Sequence, residues 1–434
     1  MIALIQAGGA GTRLKEITGD LPKPMVPICG KPILQWQIEN LKANGCNHII
    51  LVVSHASTAV QDYFGYGDKF GVRIEYIVEQ EPLGTGGALY YASKLFDEDF
   101  ALLFGDLMLD IDWNRFLAFH NERKALITTF AHPNGHPFDS DVLVADADGK
   151  CRKILGKHDP RDFFYENLTN AGLYIVSKEI LHRFTEPLKI DFEKEILAPA
   201  ILEERVFAYR SSEYVKDCGT PDRYYAVTAD CQNGIIAARN LSKLQRCIFL
   251  DRDGTINHFG DYVVRSEMLK LEPGAAEAIK RINSSPYLAI CITNQPIVAR
   301  GETTLEELKN IHYKLEDLLG QEGAYLNDLY FCPHHPDRGF PGENVAYKID
   351  CDCRKPKIGL LLRAQQRYNI DFKNSWFIGD TCQDVQTGIN AGCHTCLLLG
   401  GDPDPYKKYA DAKPDLICQN LAEAIQMILG NQQV

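Results

Sequence analysis

The chain has 434 residues, of which 45% are hydrophobic and 24% charged, so it is long enough for two or three folded domains. Its formal net charge of −12 argues against a nucleic-acid-binding surface, because such surfaces carry a basic excess. No apolar run approaches the roughly 20 residues of a membrane span, and the N-terminus lacks the basic start and cleavage site of a signal peptide. We therefore expect a cytoplasmic protein with no membrane or nucleic-acid partner, whose fourteen cysteines are reduced thiols or metal ligands.

Short apolar strands alternate with helices in the first half of the chain. Strands are predicted over 2–6, 48–54 and 100–104, and a helix begins near Pro32 and ends before Gly45. The strands are continuous apolar runs of the kind found in buried parallel sheets. This alternation predicts a doubly wound α/β domain, from which a polar helix between 226 and 244 leads out.

The same alternation begins again at residue 246. Strands are predicted over 246–250, 287–293 and 376–379, and a helix over 273–282. The sequence thus predicts a second doubly wound α/β domain. We place one domain at 1–235, a linker at 236–245 and the other domain at 246–434, with the boundary near residue 243.

A glycine-rich turn follows the first predicted strand. Its backbone N–H groups are suited to closing on phosphate oxygens, and the turn comprises Gly8, Gly9, Gly11, Thr12 and Arg13. Arg13 and Lys23 add cations that suit a polyphosphate. A generic turn between strand and helix and a dinucleotide-binding turn are the alternatives, but Leu14 stands where the dinucleotide fingerprint has its third glycine.

Further motifs extend this pattern along the first half. They are Leu21-Pro22-Lys23-Pro24, Glu79 through Ala88, Phe104-Gly105-Asp106, Asn170 through Tyr174, Phe192-Glu193-Lys194 and Asp217 through Pro221. With the turn, they closely resemble the sugar-1-phosphate nucleotidyltransferases over about residues 1–235. The resemblance implies that a sugar-1-phosphate oxygen attacks the α-phosphorus of a nucleoside triphosphate and that pyrophosphate leaves, without a protein nucleophile.

The resemblance also implies roles for individual residues. Asp106 and Asp217 would hold Mg²⁺, Arg13 the departing pyrophosphate, and Lys23 the α-phosphate and the sugar phosphate. A capping or turn role is the alternative for the two aspartates. The implied nucleotide contacts are Gly8, Gly9, Gly11, Thr12, Gln80, Gly84 and Thr85, and the implied sugar contacts are Asn170, Gly172, Glu193 and Lys194.

One departure narrows the substrate. Hexose-type members commonly continue with Pro-Leu-Thr after the Arg-Leu pair, whereas Leu14 is followed here by residues 15–20, Lys-Glu-Ile-Thr-Gly-Asp. This form is more similar to the heptose-1-phosphate guanylyltransferases, which implies GTP as the nucleotide. A hexose 1-phosphate with UTP, dTTP or CTP is the alternative.

Two aspartates follow the strand at 246–250. Polar residues at the end of a buried strand are costly unless they do chemistry, which singles out Asp251 and Asp253. Three later motifs accompany them, namely residues 290–295, 354–357 and 377–384. Together the four motifs resemble the haloacid dehalogenase-like phosphatases.

In that family the first aspartate is the nucleophile and the second is the general acid and base. The resemblance therefore implies that Asp251 forms an aspartyl-phosphate and that Asp253 protonates the leaving alkoxide and then activates water. The other implied contacts are Thr293 and Asn294 to the phosphoryl group, and Asp251, Asp253 and Asp380 to Mg²⁺.

A cysteine- and histidine-rich segment lies between these motifs. Cys332, His334, Cys351 and Cys353 match a closed tetrahedral zinc site, with His335 as a rival for His334. Four protein ligands leave no open position, so the predicted zinc is structural. Scattered reduced cysteines are the alternative.

Residues 331–336 and 351–356 resemble the heptose 1,7-bisphosphate phosphatases, over 246 to about 430. This resemblance implies that Arg354 meets the substrate and that Lys355 meets the phosphoryl group, with Lys357 as the alternative to Lys355. One departure is Pro296-Ile297, which stands where those phosphatases commonly have Ser-Gly. Histidinol phosphatases are the rival class for this half, and a degenerate binding or regulatory half is the non-enzymatic alternative.

The two resemblances together predict a bifunctional enzyme of GDP-D-glycero-α-D-manno-heptose synthesis. Its partners would be sugar phosphates and a nucleoside triphosphate. The oligomeric state stays open.

Overall fold

The computed structural model of the chain describes residues 1–8, 14, 17, 19, 21–54, 58–203, 205–260 and 262–430. The packing of the backbone divides the chain into two compact units. The first comprises Met1–His132, Asp141–Gly156 and Leu168–Ser242, and the second comprises Pro133–Ser140, Lys157–Asn167 and the chain from Lys243 onward. Two short segments of the first half thus group with the second unit, and the domain limits given above stay a prediction.

A large mixed sheet forms the centre of the first unit. The strands of this unit are β1 (Ile2–Gln6), β2 (Pro27–Ile28), β3 (Lys31–Pro32), β4 (His48–Ser54), β5 (Arg73–Glu79), β6 (Phe100–Phe104), β7 (Leu107–Asp110), β8 (Ile127–His132), β9 (Val142–Ala145), β10 (Cys151–Leu155), β11 (Thr169–Val176), β12 (Val206–Arg210) and β13 (Tyr214–Asp217). The sheet order is β10-β9-β11-β6-β1-β4-β5, with β8 joining β11 to β12. β1 lies between two parallel neighbours, β4 and β6, which explains why its apolar run is continuous.

Helices cover this sheet, and a buried hydrophobic cluster lies on each of its faces. They are α1 (Ile33–Ala43), α2 (Thr58–Phe64), α3 (Leu89–Ala92), α4 (Trp113–Arg123), α5 (Ala198–Leu202), α6 (Pro221–Gln232) and α7 (Ile235–Ala238). The single helix predicted over 226–244 is wrong in its bounds: the structure has α6, which begins earlier, followed by the short α7. α6 begins at Pro221 because the Thr220 side chain caps its first turn, and it ends at Gln232 because Gly234 adopts a left-handed conformation with φ 71°.

A parallel sheet forms the centre of the second unit. Its strands are β14 (Arg246–Leu250), β15 (Tyr287–Asn294), β16 (Asp328–Cys332), β17 (Trp376–Gly379), β18 (His394–Leu398) and β19 (Leu416–Cys418), and its helices are α8 (Ala275–Asn283), α9 (Leu305–Gln321), α10 (Gly359–Tyr368), α11 (Cys382–Ala391) and α12 (Leu421–Leu429). The order is β16-β15-β14-β17-β18-β19. The chain leaves β14 in one direction and later returns on its other side, so the carboxyl end of β14 is a topological switch point.

The predicted fold class, two doubly wound α/β domains, is confirmed by these sheets. Within the described ranges, no helix combines the length and apolar character needed to cross a lipid bilayer. All fourteen cysteines belong to the described part of the chain, and none of them forms a disulfide bond.

A buried glutamate, Glu213, lies just before β13. Its Oε1 accepts hydrogen bonds from the backbone N–H groups of Asp112 (2.7 Å) and Leu241 (3.0 Å), and its Oε2 accepts one from the Ser211 hydroxyl (3.0 Å). Burial raises the pKa of Glu213 from 4.5 to about 7, although these three donors act in the opposite direction.

This raised pKa makes the stability of the protein pH-dependent. The folded state binds the proton more tightly than the unfolded chain, so the stabilisation is complete below about pH 4.5 and is lost as the pH rises through about 7. In Glu213→Gln the amide oxygen keeps both backbone donors, and the NH₂ group turns to Ser211. Between about pH 4 and about pH 8, the free energy of unfolding of the wild type should decrease as Glu213 loses its proton. We expect the decrease in Glu213→Gln to be ~3 kcal/mol smaller than in the wild type.

Urea unfolding at both pH values measures this difference. Glu122→Gln, at an exposed position, is the matched control. Equal pH dependence in wild type and Glu213→Gln would contradict the assignment.

Candidate active sites

Three charged side chains converge in the first unit. Lys23 opens a single 3₁₀ turn, Asp106 follows β6 and Asp217 ends β13. The Lys23 Nζ lies 2.9 Å from Asp106 Oδ2. A Cβ atom added at Gly219 would lie 2.6 Å from Asp217 Oδ1, 3.2 Å from Lys23 Nζ and 3.8 Å from Asp106 Oδ2, so all three groups surround this glycine. The arrangement brings two carboxylates and one cation, all predicted site residues, to one place.

Arg223, in the first turn of α6, is a site residue that the sequence analysis missed. Its guanidinium forms an ion pair with Asp217 Oδ2, while Asp217 Oδ1 accepts a hydrogen bond from the backbone N–H of Gly219. Asp217 therefore has a cationic partner of its own, as Asp106 has in Lys23. The position of Arg223, six residues after Asp217 and within a capped helix, was the available signal.

The predicted nucleotide contacts are only partly described. Gly9, Gly11, Thr12 and Arg13 lie outside the described residues. A Cβ at Gly8 would lie 3.3 Å from the backbone nitrogen of Ser54, so the turn begins close against β4. Gln80 is exposed directly after β5.

The loop that contains Gly84 and Thr85 is held by hydrogen bonds. Gly84 has φ +76°, and a Cβ there would lie 2.5 Å from the carbonyl oxygen of Ile190, so this position requires glycine. Thr85 Oγ1 accepts a hydrogen bond from the backbone N–H of Phe192 (2.8 Å), and the Thr85 carbonyl accepts one from the Gln6 side chain (3.3 Å). This loop thereby joins the end of β1 to the segment that carries Glu193.

Two of the predicted sugar contacts meet directly. Asn170 Nδ2 donates to Glu193 Oε1 (2.7 Å) and to the Tyr174 hydroxyl (2.8 Å), and the Tyr174 hydroxyl donates to Glu193 Oε1 (2.9 Å). Burial raises the pKa of Tyr174 well above its ordinary value, and the negative charge of Glu193 adds to the rise. The phenol therefore remains a donor. Gly172 has φ +70° and lies against the ring of Phe104. Lys194 is exposed and 3.9 Å from Asp191, apart from this cluster.

Three carboxylates crowd the carboxyl end of the second unit's sheet. Asp251 follows β14, Asp380 follows β17, and Asp384 lies in the first turn of α11; one oxygen of each lies within 4.8 Å of the others. Lys355 Nζ lies 2.8 Å from Asp251 Oδ1 and 2.6 Å from Asp384 Oδ1. Burial raises the pKa of Asp251 and of Asp380, and neighbouring carboxylates add to the rise.

These four groups leave an excess of negative charge. Three carboxylates and one ammonium group carry a formal charge of −2. Oxygen ligands at close spacing are what Mg²⁺ prefers, so Asp251, Asp380 and Asp384 fit a divalent cation. Asp384 is the last residue of the motif at 377–384, and the structure places its carboxylate beside Asp251.

The carboxylate of Asp253 accepts hydrogen bonds from a separate set of side chains, which does not include Lys355. Arg252 donates to both of its oxygens (2.8 and 3.0 Å), Asn257 donates to Oδ1 (3.0 Å) and Gln295 donates to Oδ2 (2.8 Å). Burial raises the pKa of Asp253, but Arg252 and the two amides outweigh it and hold the pKa below the ordinary value. Asp253, expected also as a metal ligand, is thus not part of the carboxylate cluster.

The residues expected around the phosphoryl group also have defined partners. The Thr293 hydroxyl accepts a hydrogen bond from Gln295 (2.9 Å), and the Asn294 side chain bonds to the backbone N–H and carbonyl of Lys355. Lys357, the alternative to Lys355, is exposed and pairs with Asp350. Lys355 is therefore the lysine next to Asp251.

The four predicted zinc ligands come together. The sulfur and nitrogen atoms that would bind the metal lie 3.2 to 3.7 Å apart where they are in close contact. All four of these atoms lie within 4.8 Å of one another. The hydrogen bond between the sulfur atoms of Cys332 and Cys353 lowers the pKa of Cys353 most, although burial acts in the opposite direction, and a lowered pKa favours a thiolate. The cluster comprises Cys332, His334, Cys351 and Cys353 and suits zinc. His335 lies outside it, and its Nδ1 accepts from the backbone N–H of Asp337 (3.2 Å).

The chain matches known proteins in two parts. Residues 2–234 match the family described as nucleotidyl transferase, and residues 352–424 match HAD-hydrolase-like proteins. A mannose-1-phosphate guanylyltransferase from Mycobacterium tuberculosis is 31% identical, with 54% of this chain and 65% of that protein covered. The D-glycero-alpha-D-manno-heptose 1-phosphate guanylyltransferase from Campylobacter jejuni is 36% identical, with 52% of this chain and 97% of that protein covered.

The second half has its own relative. The D-glycero-beta-D-manno-heptose-1,7-bisphosphate 7-phosphatase from Rhodopseudomonas palustris is 38% identical, with 37% of this chain and 87% of that protein covered. The chain thus combines a nucleotidyltransferase with a phosphatase. It belongs to the nucleotidyl transferase family through residues 2–234 and to the family of the heptose-bisphosphate phosphatases through its second half, which confirms both resemblances.

The cysteine and histidine cluster leads to a test of metal content. We expect the purified protein to contain about one zinc ion per chain and Cys351→Ser to lose most of it, because the substitution removes one of four ligands. Elemental analysis by mass spectrometry measures the zinc. Cys29→Ser, at an exposed thiol outside the cluster, is the control. A wild-type protein without zinc, or equal zinc in Cys351→Ser, would contradict the assignment.

Proposed function

We propose that the chain is a bifunctional enzyme that removes the 7-phosphate from D-glycero-α-D-manno-heptose 1,7-bisphosphate and then transfers GMP from GTP to the resulting 1-phosphate. One observation carries this proposal: one half matches a relative named for removing the 7-phosphate of a manno-heptose 1,7-bisphosphate, and the other half matches a relative named for guanylyl transfer to a manno-heptose 1-phosphate. A 1,7-bisphosphate 7-phosphatase leaves a 1-phosphate, and a 1-phosphate guanylyltransferase consumes it. The transferase relatives reported above are named for guanylyl transfer, which supports GTP over UTP, dTTP or CTP.

In the phosphatase half, Asp251 is the nucleophile. Its carboxylate oxygen bonds to phosphorus while the bond between phosphorus and the sugar oxygen breaks, and Asp253 donates a proton to that oxygen. Water then attacks the aspartyl-phosphate, gives its proton to Asp253 and releases inorganic phosphate, which restores Asp251. Lys355, 2.8 Å from Asp251, holds the negative phosphoryl oxygens near the nucleophile. Mg²⁺ held by Asp251, Asp380 and Asp384 would neutralise charge between carboxylate and phosphate.

In the transferase half, the protein positions two substrates. An oxygen of the heptose 1-phosphate attacks the α-phosphorus of GTP, and the bond to pyrophosphate breaks. Lys23 steadies the phosphates, and Asp106 and Asp217 would hold Mg²⁺. The Asn170, Tyr174 and Glu193 network supplies hydrogen-bonding groups suited to sugar hydroxyls. We place both reactions in the cytoplasm, where GTP is available and free thiols persist.

The two activities should be separable by single substitutions. Asp251→Asn removes the nucleophile, so we expect phosphate release to fall by at least about 10³-fold while pyrophosphate release from GTP and heptose 1-phosphate persists. Asp106→Asn removes a charge beside Lys23, so we expect pyrophosphate release to fall while phosphate release persists. Separate assays of phosphate and pyrophosphate measure both. Loss of both activities in both variants would contradict independent sites.

The anomer decides whether the reactions connect. The phosphatase relative is named for the β-anomer and the transferase relative for the α-anomer, but consecutive reactions on one sugar require the same anomer. We expect the phosphatase to prefer the α-bisphosphate by about tenfold or more in kcat/KM. Phosphate release from both anomers, followed by pyrophosphate release with GTP and with the other triphosphates, tests this. A preference for the β-anomer would separate the two halves into different routes.

A further inference from the structure

We propose that Arg300 forms a subsite for the second phosphate of the sugar bisphosphate, the phosphate that the phosphatase reaction leaves in place. The proposal rests on the proposed function and names the group that would give this site its preference for a bisphosphate. The ligand is a phosphate monoester dianion. A guanidinium group suits it because two parallel N–H groups match two phosphate oxygens.

Two aromatic rings hold the Arg300 guanidinium without neutralising it. Its central carbon lies 4.9 Å from the centre of the Tyr262 ring and 4.7 Å from the centre of the Phe340 ring. Such cation–π contacts fix the plane of the cation and leave its N–H edges for an anion. An arginine that served only to balance a carboxylate would not need two rings.

The polar edge of this guanidinium has no protein acceptor. In the part of the chain that the structure describes, no carboxylate or carbonyl oxygen pairs with the Arg300 side chain, and its buried Nε has no hydrogen-bond partner. Three other arginines of this unit are paired with carboxylates: Arg252 with Asp253, Arg363 with Asp352 and Arg367 with Asp328. Arg300 therefore keeps its charge available to a ligand.

Arg300 lies at the catalytic end of the sheet. It belongs to the turn after β15, in which its backbone N–H bonds to the Pro296 carbonyl (2.9 Å), and Pro296 comes two residues after Asn294. Asn294 bonds to the backbone of Lys355, the lysine beside Asp251. The carboxyl ends of parallel strands share one edge, so Arg300 and the nucleophile lie on the same side of the unit.

The second ring also connects Arg300 to the zinc-binding segment. Phe340 meets the His335 ring edge to face, with 5.7 Å between ring centres. The preceding residue, His334, accepts a hydrogen bond from Arg354 through its carbonyl (3.1 Å), and Arg354 is expected to meet the substrate. Arg300, through Phe340, and Arg354, through His334, thus both contact the zinc-binding segment, and two guanidinium groups suit a substrate with two phosphates.

Lys348 is not the cation that meets the ligand. Its Nζ lies 4.3 Å from the centre of the same Phe340 ring, but it donates to the Asp337 carbonyl (2.6 Å) and pairs with Glu343 (3.2 Å). Its side chain is fully buried. It therefore supports the ring, and Arg300 remains the group with free donors.

The test compares two substrates in Arg300 variants of the full chain. Arg300→Met keeps an apolar stem between the rings and removes the charge, whereas Arg300→Lys keeps the charge and loses the paired N–H groups. We measure kcat/KM for the heptose 1,7-bisphosphate and for the 7-monophosphate of the same sugar. We expect the ratio of the two values to fall by about tenfold or more in Arg300→Met and by less in Arg300→Lys.

Arg246→Met is the matched control. The Arg246 guanidinium lies 6.0 Å from the centre of the Tyr287 ring, at the starts of β14 and β15 and thus at the opposite edge of the sheet. We expect this variant to keep the wild-type ratio. If Arg300→Met does not fold, Arg300→Lys carries the comparison.

An unchanged ratio in active Arg300 variants overturns the subsite and leaves the cation–π stack with a structural role only. An equal loss on both substrates overturns it in the same way. A wild-type protein that hydrolyses no sugar bisphosphate, by contrast, removes the proposed function itself. These results are distinguishable because the first two require an active phosphatase.

Discussion

The crowding of three carboxylates around one lysine is the constraint on which the second unit depends. Negative groups placed this close repel one another, and burial of Asp380 and Asp384 strengthens that repulsion. The surrounding backbone has to be correspondingly tight: a Cβ at Gly254 would overlap the Asp380 carboxylate, and one at Gly401 would lie 2.5 Å from the Asp380 Cβ. Such a site stores an electrostatic cost that a divalent cation would relieve, and Lys355 together with that cation would offset the negative charge that a phosphoryl group adds.

The first unit solves a similar problem with less burial. Its two predicted metal ligands each have a cation, Lys23 for Asp106 and Arg223 for Asp217, and all four side chains keep between 20% and 33% of their exposure. Ion pairs at such exposure contribute little to stability and exchange partners easily. The lysine and arginine can therefore pass from carboxylate to phosphate when substrates arrive. A reaction without a protein nucleophile requires positioning of this kind rather than one strongly activated side chain.

Local sequence predicted the strands and the charged residues at their ends, because a buried parallel strand is a continuous apolar run and its carboxyl end is where polar groups gather. It predicted Asp251 for this reason, whereas Asp380 was implied by the resemblance to the haloacid dehalogenase-like phosphatases. The donors to Asp253 are different: Gln295 lies 42 residues from Asp253, and the pairing follows only from the register of β14 with β15. The same holds for Arg300, whose two rings come from separate loops. Glu213 could not be recognised either, since its burial depends on the backbone N–H groups of Asp112 and Leu241.

The departure at Pro296-Ile297 gains a physical meaning from these contacts. Ile297 and Val298 are buried and pack with Leu308, so the turn that carries Arg300 is fixed by an apolar cluster. Proline adds to this rigidity because its φ is constrained. The α- and β-anomers of a sugar 1-phosphate direct the phosphate to different sides of the ring, and a cation on a rigid turn can accept only one of these directions well. If Arg300 binds that phosphate, the altered turn is the place where a phosphatase whose relative is named for the β-anomer would gain a preference for the α-anomer. The fused transferase requires the α-anomer, for which its own relative is named.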